Sequence, residues 1–354
     1  MGASPPPQRR LPLWPLRWPR LHHAPRALLG LGLCGLFLWV SMTPQRQTLE
    51  AALKVSALSF VLQDPGGNDT VSYQGFLVVS ARSLTITGLG DGVVLLSGQS
   101  LPLKGGNALS LSVTAADSLV IKFALAPGTR IENLQQEGTD ELVLDLLPPR
   151  HGATSGAAAQ LVITPPSQEA SPGRAPAGAL QAKFQQPNRA AEEIVPPQAD
   201  FPLYPKGPIR LRLQRASPMT PMVFESNLHA SDVQFMRKQQ SLFDQSPITL
   251  STLLAGTLHL GRQQPLNLRS NQFLRLDPPG IGVITSLRTD QGQLAVEVVG
   301  ETARIRSGLS FQHPSADLQG TLLSRHLSPE QISAFFGFLA GVISSLVLTL
   351  FKGE

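Results

Sequence analysis

Hydrophobic residues along this chain fall into two unbroken blocks near its ends and many short alternating runs between them. Residues 27–42 (ALLGLGLCGLFLWVSM) and 332–351 (ISAFFGFLAGVISSLVLTLF) contain no charged side chain. At helical rise the second block is about 30 Å long, enough to cross a bilayer core, and the first is about 24 Å. The pattern predicts an N-terminal transmembrane helix over 27–43 and a C-terminal one over 332–351. Ser328-Pro329-Glu330-Gln331 supplies the start of the second helix: an N-cap serine, a proline at the first turn and glutamine three residues on.

Between the blocks the period is two. Leu53, Val55, Ala57 and Ser59 form one run, and Leu84 with Ile86 another. Leu109, Leu111 and Val113 precede Leu119, Ile121 and Phe123, and Leu142 to Leu144 close the segment. The turn signals DPGGND (64–69), GLGDG (88–92), KGGN (104–107), APGT (126–129) and EGTD (137–140) separate these runs. A second segment repeats the rhythm with IRLRLQ (209–214), TLLAGTLHL (252–260), PLNLR (265–269), FLRL (273–276), IGVITSL (281–287), QLAVEVVG (293–300) and TARIRSG (302–308). Short strands punctuated by Gly, Asp and Asn predict a mainly β protein. The expected architecture is two antiparallel sandwich- or barrel-like domains, 49–148 and 208–327, between the two transmembrane helices. Only 227–245 is left as a candidate for a helix.

Residues 149–207 hold clustered Pro, Ala, Gln and Gly, as in TPPSQEASPGRAPAGA, and read as a spacer with at most one strand around Leu161-Val162-Ile163. LKVSALSFVLQ (53–63) and LHASDVQFMRKQ (228–239) place a leucine, a small residue and a phenylalanine in similar register, which suggests distant duplication.

Charge orients the chain. The first 26 residues carry Arg9, Arg10, Arg17, Arg20 and Arg26 with no acid, a cytoplasmic signature. Removing these arginines and the 352–354 tail leaves acids and bases equal in number, so the pI of about 9.7 belongs to the tail. No nucleic-acid partner is expected. Val40-Ser41-Met42-Thr43-Pro44 has no small-x-small cleavage site, so the first block reads as an uncleaved signal-anchor with Trp39 at its interface. The expected location is the cell inner (plasma) membrane, with both termini cytoplasmic and the middle exported. Cys34, the single cysteine, lies within the first block, so disulfides and thiol chemistry are excluded outside it.

The sharpest local pattern is in the second block. Ser333, Gly337, Gly341, Ser345 and Thr349 recur every four residues and form a small-residue stripe suited to close helix packing. Catalytic signals are weak. His151, His229, His259, His313 and His326 are scattered, and there is no HExxH, GxSxG or phosphate-binding loop. Asp64, Asn68 and Asp69 make too sparse a calcium loop, Glu137 with Asp140 and Glu141 reads as a solvated turn, and Asn68-Asp69-Thr70 is a glycosylation sequon. No cofactor or metal is implied. The expectation is a non-enzymatic structural or assembly subunit of a cell-envelope complex, with β-domains as binding modules. Its partners would be membrane lipid, other envelope or membrane proteins reached through the second span and the β-domains, or a second copy. A periplasmic lipid- or glycan-handling protein is the alternative, and a transmembrane ligand sensor comes third. The first two differ in whether Phe60, Phe76, Phe123 and Leu274 pack into a core or line a slot.

Overall fold

The computed structural model describes residues 24–63, 74–90, 92–96, 99–104, 106–113, 118–149, 159–164, 180–194, 200–217, 223–224, 227–240, 247–277, 282–310 and 312–351. The chain divides into two compact units, a helical one from both ends and a β body over Pro44–Thr321.

In the helical unit, α1 (Ala24–Met42), α2 (Leu322–His326) and α3 (Pro329–Phe351) follow the two hydrophobic blocks. The Ser328 amide donates to Gln331 Oε1 at 2.9 Å and the Gln331 amide to Ser328 Oγ at 3.4 Å, the capping box that the sequence spells. Phe37 of α1 meets Phe335 of α3 with ring centroids 5.8 Å apart. Among the described residues no helix is long and apolar enough to cross a membrane. The described side chains of α3 run unbroken only over 329–345, so the full apolar run 332–351 is a property of the sequence.

The β body is mainly antiparallel sheet. Its first half contains β1 (Gln47–Val55), β2 (Ala57–Leu62), β3 (Gln74–Gly88), β4 (Gly92–Leu96), β5 (Gln99–Leu103), β6 (Ala108–Ser112) and β7 (Leu119–Leu125). The hairpin β8 (Arg130–Glu137) and β9 (Glu141–Leu147) completes it. The second half contains β14 (Ile209–Arg215), β15 (Val223–Phe224), β16 (Leu228–Gln234), β17 (Met236–Gln240), β18 (Pro247–Ser251), β19 (Leu253–Leu260), β20 (Leu266–Leu268) and β21 (Phe273–Asp277). The hairpin β22 (Gly282–Asp290) and β23 (Gln293–Thr302), then β24 (Arg304–Gly308) and β25 (Ala316–Gln319), end it.

Three expectations change. The stretch 149–207 is more than a spacer: it supplies β10 (Ala159–Thr164), β11 (Gln181–Gln185), β12 (Glu192–Ile194) and β13 (Phe201–Pro205). β10 pairs with β7 and β11 with β6, and Leu161, Ile163, Ala182, Phe184 and Leu203 are buried. A few apolar side chains at period two suffice for a strand when existing edges supply its hydrogen bonds. Within the candidate helix at 227–245, residues 228–234 and 236–240 form β16 and β17, and residues 241–245 lie outside the described residues. And β1 does not belong to the half that follows it.

β1 lies between β19 and β23, pairing with β23 along its whole length and with β19 from Leu49 to Val55. β14, which opens the second half, lies between β3 and β9 of the first. Each half therefore lends its first strand to the other. The pairings repeat in the same order: β3–β14–β9–β8–β2 in one half, β19–β1–β23–β22–β16 in the other, with β2 and β16 joined at the centre. Irregularities coincide as well. β14 slips against β3 between Gln214 and Arg215, and β1 slips against β19 between Lys54 and Val55. Bulges conserve position because they set twist and register, so the two halves share one framework. The register of this correspondence differs from the one the sequence suggests: Phe60 stands where Ala230 stands, opposite Ile131 and Gly282 respectively.

The core is continuous through both halves and contains Phe60 and Phe123. Where the chain enters and leaves the body its two ends are paired: Pro44 bridges Thr321, the Gln45 amide donates to Gly320 O at 2.8 Å, and Gln47 Nε2 donates to Thr321 O at 2.7 Å.

Candidate functional site

A cleft of about 520 Å³ opens in the second half of the β body. Its floor is the inner face of β1, β19, β22 and β23, through Leu49, Ala51, Leu258, Gly282, Val298 and Gly300. Alternation places these residues on one face, since positions two apart along a strand point the same way. β16 and β17 form one wall, with the buried Phe235 at their junction, and β21 forms the other with Leu274 and Leu276. Among the described residues β17 pairs with β18 in a two-stranded sheet, and β21 belongs to a three-stranded sheet with β24 and β25. β16 continues the sheet of the floor through β22, so the cleft lies where that sheet meets the β17–β18 hairpin and the β21 sheet.

Charges sit around this apolar lining: Asp232, Lys238, Arg275, Asp277 and Glu301. Arg275 Nε bonds Asp277 Oδ1 at 2.9 Å, and Arg306 Nε reaches Asp277 Oδ2 at 3.1 Å. Burial favours the neutral form of Asp277, but the hydrogen bonds from Arg306 and Arg275 outweigh it and hold the carboxyl below its ordinary value. Next to it, Arg304 Nε bonds Asp317 Oδ1 at 2.7 Å, which lowers the Asp317 pKa in the same direction.

A second, polar hollow of about 240 Å³ is lined by Asn133, Gln135, Glu137, Val143, Arg210, Arg237, Lys238 and Gln239. It leads to the buried Asp145, whose two oxygens take Arg210 Nε at 2.7 Å and Arg210 Nη2 at 2.9 Å, with Asn133 Nδ2 at 2.9 Å. That carboxylate is saturated by its own neighbours. The hydrogen bond to Asp145 also raises the Arg210 pKa.

The residues singled out in the sequence are placed as follows. Ser333, Gly337, Gly341 and Ser345 lie along an exposed face of α3, and a methyl group at Gly337 or Gly341 would meet nothing within 4 Å among the described residues. Ser333 Oγ bonds back to Pro329 O at 3.0 Å. The face of α3 that meets α1 is the neighbouring one through Phe335. Thr349 lies on α3 with its side chain outside the described residues. Trp39 is exposed on α1 and Arg26 lies in its first turn, while Arg9, Arg10, Arg17 and Arg20 lie outside the described residues. Glu137 and Glu141 both meet Arg212, at 3.5 and 3.0 Å, an ion cluster at the end of a hairpin. Asp64, Asn68 and Asp69 lie outside the described residues, as does the side chain of Phe76. Among the described residues no group of three or more His, Cys, Asp or Glu side chains could hold a metal.

Of the residues that separate a packed core from a slot, Phe60, Phe123 and Leu274 are all buried in the core, and Leu274 also lines the cleft. Sequence reading missed the cleft. Its one trace in the chain is a pair of glycines, Gly282 and Gly300, in strands otherwise rich in valine and isoleucine. No protein-family model, curated protein or solved structure matches the chain.

Proposed function

We propose that the chain is a non-enzymatic assembly subunit of a cell-envelope complex, anchored in the inner membrane with its β body outside as the binding module. The uncharged runs 27–42 and 332–351 and the five arginines ahead of the first support the topology. The observation that carries the reading is the clamp of Pro44, Gln45 and Gln47 against Gly320 and Thr321. The pairing brings the two chain ends of the β body to one point, an arrangement suited to a platform for partners. The small-residue face of α3, not used by α1, is where a helix of another membrane protein docks.

The test is purification of the tagged full chain in mild detergent, with co-purifying proteins identified by mass spectrometry. Gly337→Leu with Gly341→Leu is expected to release membrane proteins that accompany the unaltered chain. A chain that purifies without protein partners in both forms would refute the assembly role.

A further inference from the structure

The two halves share a framework, yet among the described residues the cleft lies in the second, where the side chains at matching positions are smaller. In the first half, Ile131 pairs with Leu146, Leu146 with Ile209, and Leu211 with Leu144. In the second half the same places are taken by Gly282 paired with Gly300, Gly300 with Leu49, and Ala51 with Val298. Ile131 therefore becomes Gly282, Leu146 becomes Gly300, Leu211 becomes Ala51 and Leu144 becomes Val298. All four first-half residues are buried core. Every change removes volume. Interiors pack densely, and space left by deleted methylenes is destabilising. Glycine in a strand interior adds an entropic cost and marks a place where something approaches the backbone closely.

We propose that this cleft binds the hydrocarbon chain of a zwitterionic amphiphile, which fills the space that Ile131, Leu146 and Leu211 occupy in the other half. The volume of about 520 Å³ lies in the range of small-molecule sites. The lining selects the chain: Leu49, Ala51, Leu258, Leu274 and Val298 offer a hydrocarbon surface with no polar side-chain atom. The rim selects the head. Asp232, Asp277 and Glu301 are balanced by Lys238, Arg275 and the Arg306 that holds Asp277. A rim of mixed sign complements a head group carrying both signs, and its acids repel a purely anionic one. The inference is independent of whether α3 docks another protein.

The experiment uses the full chain in amphipol and a lysophosphatidylethanolamine with a photoactivatable diazirine on its acyl chain. After illumination, adducts are expected on peptides containing residues 232–238 and 274–277. Unlabelled lysophosphatidylethanolamine should compete, with lysophosphatidylglycerol weaker by about tenfold, as a difference of one rim charge pair implies. Ala51→Leu with Val298→Leu installs the residues of the other half. It is expected to raise the thermal midpoint while cutting the adduct by at least about tenfold. Adducts confined to α1 and α3, or no adduct at all, would overturn the proposal in the unaltered chain whatever the variant does. Undiminished labelling of a folded double variant would overturn it too, and equal competition by the anionic lipid would overturn the zwitterionic assignment.

Discussion

Asp145 is buried in β9 with three donors around it, two from Arg210 and one from Asn133. Removing a partner from a buried carboxylate costs more than the hydrogen bond was worth, because the charge remains. Arg210→Met is therefore expected to lower unfolding free energy by about 2 kcal/mol, read from the urea midpoint. Arg215 is a related case. It stands in β14 where β1 has Val55, and its Nη1 reaches Thr289 Oγ1 at 3.3 Å in the other half. Burial lowers its pKa, against the pull of Asp140. Acid sensitivity follows from Asp277 and Asp317, both held below the ordinary 3.8 in the folded state. Such groups add stability above their unfolded pKa, and that contribution is lost as pH falls through the folded value. The urea midpoint should fall as pH drops below 3.8, and Asp277→Asn should flatten that fall.

At the scale of elements, β1 is the decisive strand. Its burial alternates without a break, and its buried residues Leu49, Ala51, Leu53 and Val55 all face the second half. A central strand supplies hydrogen bonds to both neighbours, so its loss leaves two unsatisfied edges and an uncovered core. A chain of residues 57–321 is expected to show no cooperative thermal transition. Moving residues 44–56 to follow Thr321 should restore it, because Pro44 already pairs with Thr321. A permuted chain that stayed unfolded would show that β1 must be covalently continuous with β2. That β1 is a strand was legible from its period of two. Its partners were not, because they lie some two hundred residues away and alternation carries no address. Likewise the capping box of α3 was readable, being a contact among four successive residues, whereas the choice of Phe335 rather than the glycine stripe as the face toward α1 was not.

Across the whole β body, reciprocal exchange of β1 and β14 makes one unit of what reads as two domains. Neither half can close its own sheet, so the core runs through both. The expectation of two domains joined by a spacer fails for that reason. β10, β11 and β13 also pair with β7, β6 and β4 of the first half. The two halves repeat one pairing order but fill it differently: Ile131, Leu144, Leu146 and Leu211 stand in the first where Gly282, Val298, Gly300 and Ala51 stand in the second.

The mainly β class, most strand positions, the helix blocks, the start of α3 and the exclusion of disulfides were all readable from the order of residues. Each of these depends on near neighbours in the chain, through side-chain alternation, helical rise, capping or a cysteine count. Which strands pair, the exchange of first strands between the halves and the place of the cleft emerged with the folded chain. Those depend on residues brought together from distant segments, and Gly282 and Gly300 acquire meaning only when they face each other across a sheet.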